Sequence, residues 1–129
     1  MSDEATGGEE AFAAPLGGGV VVAEREAGVY DVGSVDDFVD DTITGLVVGS
    51  TAIVLIRQGG AFYALPDRCT HQRFPLNDGE LLDGRIRCMH HGATFDLQTG
   101  RPTLPAVVKI KLFSVEDVDG RVLVTLQQR

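Results

Sequence analysis

From Gly28 onward the apolar positions fall in short alternating or continuous runs separated by turn residues, a pattern of strands rather than helices. Residues 28–32 read as a strand, with an edge strand over 20–23 as an option. Ser34 followed three residues later by Asp37 reads as an N-cap that allows one helical turn through Val39. Residues 46–49 and 52–57 are apolar and β-branched, with Gly49-Ser50 between them. Gln58-Gly59-Gly60 then turns the chain into 61–65, which predicts a hairpin. Over 107–113, Val108, Ile110 and Leu112 share one face and Lys109 and Lys111 the other, which predicts a half-buried strand. Asp119-Gly120 is a strong turn dipeptide before 121–126, where Val122, Val124 and Leu126 alternate with Arg121, Leu123 and Thr125. The spacing predicts an all-β domain, a small sandwich or barrel, with no internal repeat and no heptads.

Between Pro66 and Pro105 the pattern lapses into a loop-rich insert that holds five arginines, both cysteines and all three histidines. Function concentrates on loops of this kind, carried by a rigid platform. Residues 1–27 are rich in Gly, Ala and acid and are expected to form a flexible extension.

The 129 residues fit one domain. Their net charge of -8 is unevenly placed. Residues 1–41 hold eleven acids against Arg25 alone, a net of -10, while 42–129 hold eight acids against ten bases, a net of +2. This balance excludes nucleic acid, which needs a basic face, and suits a basic protein partner for the acidic front. No apolar run approaches the ~20 residues that span a bilayer, and no basic, apolar leader is evident, so no membrane partner is expected. A cytoplasmic, reducing compartment is the expectation, where paired thiols more often bind metal than bridge.

Cys69-Thr70-His71 is followed after sixteen residues by Cys88-Met89-His90-His91. Each half offers a thiolate and an imidazole on a tight turn, and two such loops present four ligands of two kinds to one centre. All five Cys and His of the chain fall within 23 positions, which makes unrelated buried side chains a poor account of the pattern. Zinc accepts the same donors. A nucleophilic Cys/His pair lacks a third orienting residue.

The stretch from Cys69 to Pro102 resembles the Rieske [2Fe-2S] proteins: Pro75-Leu76, Gly79, His91-Gly92, Phe95-Asp96 and Thr99-Gly100 stand as in Rieske ferredoxins. The resemblance covers about 28–129. It implies a Rieske fold, an antiparallel β base with a cluster-binding subdomain over about 66–105. It also implies one [2Fe-2S] cluster with Cys69 and Cys88 on one iron and His71 and His91 on the other, and His90 as a neighbour. Two ferric ions, two sulfides and two thiolates sum to zero charge, so an added electron costs less than with four thiolates. The potential then lies within about -150 to +300 mV.

High-potential members of the family carry an extra disulfide and hydroxyl donors, where this chain has Phe74, His90, Ala93 and Phe95. The low end, around -150 mV, is therefore expected. Met89 replaces a usual proline and Arg73-Phe74 replace small residues, as a docking rim or as loop packing, and Pro102 and Pro105 would belong to a loop shielding the cluster. The resemblance implies a one-electron carrier between a flavin reductase and a terminal oxygenase. No catalytic site is expected, since a mononuclear iron needs two more histidines and a carboxylate, and only His90 remains. The alternatives are the small Rieske-like subunit of an assimilatory nitrite reductase and a structural zinc domain.

Overall fold

The computed structural model describes residues 21–22, 24–26, 28–71, 74–90 and 92–126. Its strands are β1 Val21–Val22, β2 Glu24–Glu26, β3 Val29–Ser34, β4 Thr42–Val48, β5 Thr51–Gln58, β6 Ala61–Pro66, β7 Glu80–Leu82, β8 Arg85–Arg87, β9 Thr94–Asp96, β10 Ser114–Val118 and β11 Arg121–Thr125. They form three sheets, in the orders β10-β11-β3-β2, β1-β4-β5-β6 and β9-β8-β7. Among the described residues every strand pairing is antiparallel except β1 with β4. The expected all-β architecture is therefore present. Among the described residues no helix is long and apolar enough to cross a membrane.

The middle sheet organises the molecule because β5 is buried on both faces. Ile53 and Leu55 enter one core with Leu46, Val48, Ala64, Val122 and Val124, between the two four-stranded sheets. Val54 and Ile56 enter a second core with Leu76, Ile86, Phe95, Leu97 and both cysteines. A strand covered twice has no polar alternation, which is why 52–56 reads as a continuous apolar run. The second core is the floor on which the ligand loops stand.

Turn chemistry sets the registers. Gly59 (φ 63°) and Gly60 (φ 82°) close the β5–β6 hairpin in the left-handed region, and both their N–H groups donate to the Asp40 carboxylate. Asp119 (φ 52°) and Gly120 (φ 81°) close the β10–β11 turn in the same left-handed region, with Gly120 N–H donating to the Asp117 carboxylate. Ser34 caps a 3-10 turn at Val35–Asp37, in a capping box with Asp37. Gln58 fastens the insert to the base: its side-chain oxygen accepts from Gly84 N–H at 2.9 Å and its amide donates to the Leu82 carbonyl at 2.9 Å.

Three expectations need revision or lie elsewhere. Residues 107–113 are not a strand: Ile110 is buried, but Val108 is exposed, and among the described residues the segment pairs with a strand only through an isolated bridge from Phe113 to Ala64 of β6. Its backbone is held at separate points, Ile110 N–H to Gly100 O and Phe113 N–H to Ala64 O. The insert is more ordered than a loop, since β7, β8 and β9 form its own sheet. Residues 1–20 of the expected extension lie outside the described residues, as do positions 20 and 23 of the optional strand 20–23, whereas 21–22 and 24–26 pair with β4 and β3.

Candidate metal centre

Two loops rise from the second core, one after β6 and one between β8 and β9. Their closure is the same. Cys69 N–H donates to the Phe74 carbonyl and Cys88 N–H to the Ala93 carbonyl, each five residues on and each at 2.8 Å. In the second loop Gly92 (φ 81°) also donates back to the Cys88 carbonyl at 2.9 Å. A side chain there would meet nothing within 4 Å, so the glycine serves the backbone turn alone. Cys69 is 3% exposed and Cys88 0%, and both lie in one apolar cluster without forming a disulfide. His71 is half-buried and lines, with Arg68, Thr70, Lys109 and Lys111, a cavity of about 500 Å³. His91, the remaining expected ligand, lies outside the described residues, as does Arg73. Among the described residues no three His, Cys, Asp or Glu side chains converge closely enough to hold a metal ion.

His90 is engaged elsewhere. Its ring stacks on Phe74 at 4.1 Å and 11°, and its Nε2 lies 3.5 Å from Asp78 Oδ2. The contact joins the two loops, and it makes Phe74 a packing residue; the Met89 side chain is exposed. Ala93 and Phe95, at the positions where high-potential relatives carry hydroxyls, are fully buried and apolar.

A third segment, 97–112, wraps the loops. Thr70 Oγ1 donates to the Val108 carbonyl at 2.6 Å. Thr103 N–H donates to Thr94 O at 2.8 Å, and Thr94 N–H to Thr103 Oγ1 at 2.9 Å. Pro102 bridges Phe95.

Asp67 is a residue the sequence reading missed. Its Oδ1 accepts from the backbone N–H groups of Leu76 (2.6 Å) and Asn77 (2.8 Å), and its Oδ2 from Asn77 Nδ2 (2.6 Å). It thereby cinches the chain on both sides of the first loop. Nothing local signals it, because its partners are nine and ten positions away. Asp67→Ala strands three donors, at roughly 1–3 kcal/mol for each that stays buried. We expect a loss of about 2–4 kcal/mol and faster bleaching of the holoprotein on heating, with Asp67→Asn intermediate. Equal bleaching rates in wild type and Asp67→Ala would remove the residue from this role.

Asp96, the last residue of β9, makes a similar turn into the third segment. Its carboxyl is held below the ordinary carboxylate value by N–H donation from Gln98 (2.8 Å), then from Thr99 (3.0 Å), with Arg85 nearby. A lowered native value means that this contribution is present above the ordinary carboxylate range and lost as pH falls through the native value. Asp96→Asn is expected to flatten the acid limb of a stability–pH profile while leaving its neutral-to-alkaline shape unchanged, as read by urea midpoints at successive pH.

Residues 28–114 match the Rieske [2Fe-2S] domain family. The ferredoxin subunit of anthranilate 1,2-dioxygenase from Burkholderia cepacia is 30% identical over 98 residues, 75% of this chain and 91% of the relative. Among solved structures, a chain of the complex of reduced oxygenase and oxidized ferredoxin in carbazole 1,9a-dioxygenase superposes with a TM-score of 0.74 at 32% identity. The match covers 81% of this chain and 98% of that one. The ferredoxin of carbazole 1,9a-dioxygenase from Nocardioides aromaticivorans IC177 gives 0.71 at 27% identity, covering 75% and 96%.

The donors present suit an iron–sulfur group. Two unbridged, buried cysteines stand at matching points of two loops that share a closing hydrogen bond, and soft thiolates are what such clusters take. The chain belongs to the Rieske [2Fe-2S] domain family, and its cofactor is one [2Fe-2S] cluster of that type.

Proposed function

We propose that the chain is a non-catalytic, one-electron carrier in which Cys69 and Cys88 hold one iron and His71 and His91 the other. The matched closure of the two cysteine loops over a shared apolar core carries this reading. When bound, the cluster supplies a one-electron couple. The protein's part is to root the thiolates in a dry floor, to hold the loops rigid through Asp67, Thr70 and the Phe74–His90 stack, and to leave His71 beside an open cavity. A rigid cage limits the rearrangement that accompanies each electron.

Relatives of matching length are named as ferredoxin components of dioxygenases, which supports a reductase as donor and a terminal oxygenase or similar redox enzyme as acceptor. We also place the chain in the cytoplasm, a reading that two cysteines not joined in a disulfide support. Visible and EPR spectra of the purified protein, oxidised and then reduced, test the assignment. A red-brown protein whose EPR signal appears on reduction is expected, with a midpoint near about -150 mV. Colourless, zinc-loaded protein overturns the reading, and a midpoint above about +100 mV overturns its low-potential part.

A further inference from the structure

Lys109 and Lys111 are the only lysines of the sequence, and both line the cavity beside His71, as do Arg68 and Cys69. Among the described residues no acidic side chain lines that cavity. All three cations are exposed, and among the described residues Arg68 and Lys109 are in no ion pair. Lys111 lies 5.4 Å from the centre of the Phe113 ring and still presents its charge to solvent. By contrast, Arg85, Arg87 and Arg121 are each matched to a carboxylate. The same segment exposes Leu104, Val107 and Val108 at 77%, 76% and 56%. The Thr70–Val108 hydrogen bond fixes this segment against the first ligand loop.

We propose that this cavity and its apolar shoulder are a docking site for an acidic protein partner, one of whose carboxylates enters between Arg68, Lys109 and Lys111 next to His71. The proposal rests on the electron-carrier reading and names the partner's chemistry. A cationic recess bordered by exposed valine and leucine has the makeup of an interface, an apolar contact rimmed by charges that set orientation. Three cations on a chain of net charge -8 are too few for a nucleic-acid surface. The local field also has the opposite sign to the whole molecule, so the partner expected at this site is acidic. The acidic residues 1–41 point the other way when charge is read from the sequence alone.

The sign of the salt dependence tests this. Dithionite-reduced holoprotein is mixed in stopped flow with oxidised plastocyanin, an acidic copper protein. One electron leaves the cluster, returning it to the all-ferric state, and reduces Cu(II) to Cu(I). If net charge governs the encounter, two negative proteins repel and the rate rises with salt. If the cavity governs it, the rate falls severalfold between about 0.02 and about 0.2 M salt, as screening weakens a local attraction. Lys109→Glu/Lys111→Glu is expected to slow the low-salt reaction about tenfold and to reverse the slope, with unchanged visible and EPR spectra. Lys109→Gln/Lys111→Gln is expected to flatten the slope.

A second readout is independent of electron transfer. Carbodiimide activates a plastocyanin carboxylate, a lysine amine displaces the urea, and the resulting amide maps by mass spectrometry to Lys109 or Lys111. A rate that rises with salt in wild type, a double variant indistinguishable from it, or an amide yield at low salt no greater than at high salt would each overturn the docking site. Wild-type protein without a cluster spectrum overturns the electron-carrier reading together with it.

Discussion

The His90→Ala variant keeps its visible chromophore, whereas His91→Ala, His71→Ala, Cys69→Ser and Cys88→Ser are each isolated with iron and acid-labile sulfide near background. The adjacent histidines are the sharpest part of this expectation, because spacing alone permits either to serve. The His90 ring is stacked on Phe74 and its Nε2 faces Asp78, so its removal costs a loop–loop contact and leaves the proposed donor set whole. A stacked pair of this kind contributes roughly 0.5–1.5 kcal/mol beyond its burial. His90→Ala is therefore expected to lose its cluster somewhat faster on heating while starting fully loaded. The cysteine variants differ in kind. Cys88 is 0% exposed in an apolar core, and serine there is a harder ligand as well as a buried hydroxyl. Iron and sulfide analysis with visible absorbance decides the matter. A loaded His91→Ala protein, or an empty His90→Ala one, would reverse the roles of the two histidines.

Some of this arrangement was legible in the residues for reasons that are local. Gly59-Gly60 and Asp119-Gly120 fix left-handed turns, Ser34 and Asp37 close on each other within one turn, and the paired Cys/His spacings each sit on one loop. The apolar run 52–56 announced a strand, although its burial between two cores came only with the fold. What stayed hidden depends on distant partners. The strands β7, β8 and β9 have three residues each, too few to show a period, and they exist because they pair with one another. Alternation over 107–113 predicted a strand because Ile110 does face the core. The residues around it answer to Gly100, Ala64 and Thr70 instead of a ladder. The same misreading concealed the cationic recess, since lysines on the outer face of a strand look like ordinary solvation. Asp67 could not be singled out because its meaning lies at Leu76 and Asn77.

Gly79→Ala and Gly100→Ala are expected to be the most destabilising glycine substitutions, each for a different reason, and Gly59→Ala supplies the scale. At Gly59 an added methyl meets nothing within 4 Å, so only the left-handed φ of 63° is penalised, at about 1–2 kcal/mol. At Gly79 the conformation is not left-handed, but a Cβ would stand 2.5 Å from the Arg87 carbonyl oxygen and 2.9 Å from that of Leu76. Both obstacles are backbone, and both matter to the site. Leu76 is held by Asp67 beneath the first loop, and Arg87 is the residue before Cys88. Relief therefore requires the two ligand loops to move apart, at roughly 1–3 kcal/mol for the overlap. At Gly100 the two penalties combine. Its φ is 79°, and a Cβ would collide with the carbonyl oxygen of Ile110, whose N–H donates to the Gly100 carbonyl at 2.9 Å. A loss of about 2–5 kcal/mol follows, a large share of the roughly 5–15 kcal/mol that holds such a domain together. Because Ile110 lies between Lys109 and Lys111, Gly100→Ala also displaces the cavity rim, so its cluster and its salt-dependent electron transfer are expected to suffer together. Thermal midpoints followed by far-UV circular dichroism and by cluster absorbance check the order Gly100→Ala, then Gly79→Ala, then Gly59→Ala. Gly79→Ala is expected to lower the absorbance midpoint further than the circular dichroism midpoint, because its strain falls between the loops. Coincident midpoints in that variant would mean that the base absorbs the strain instead.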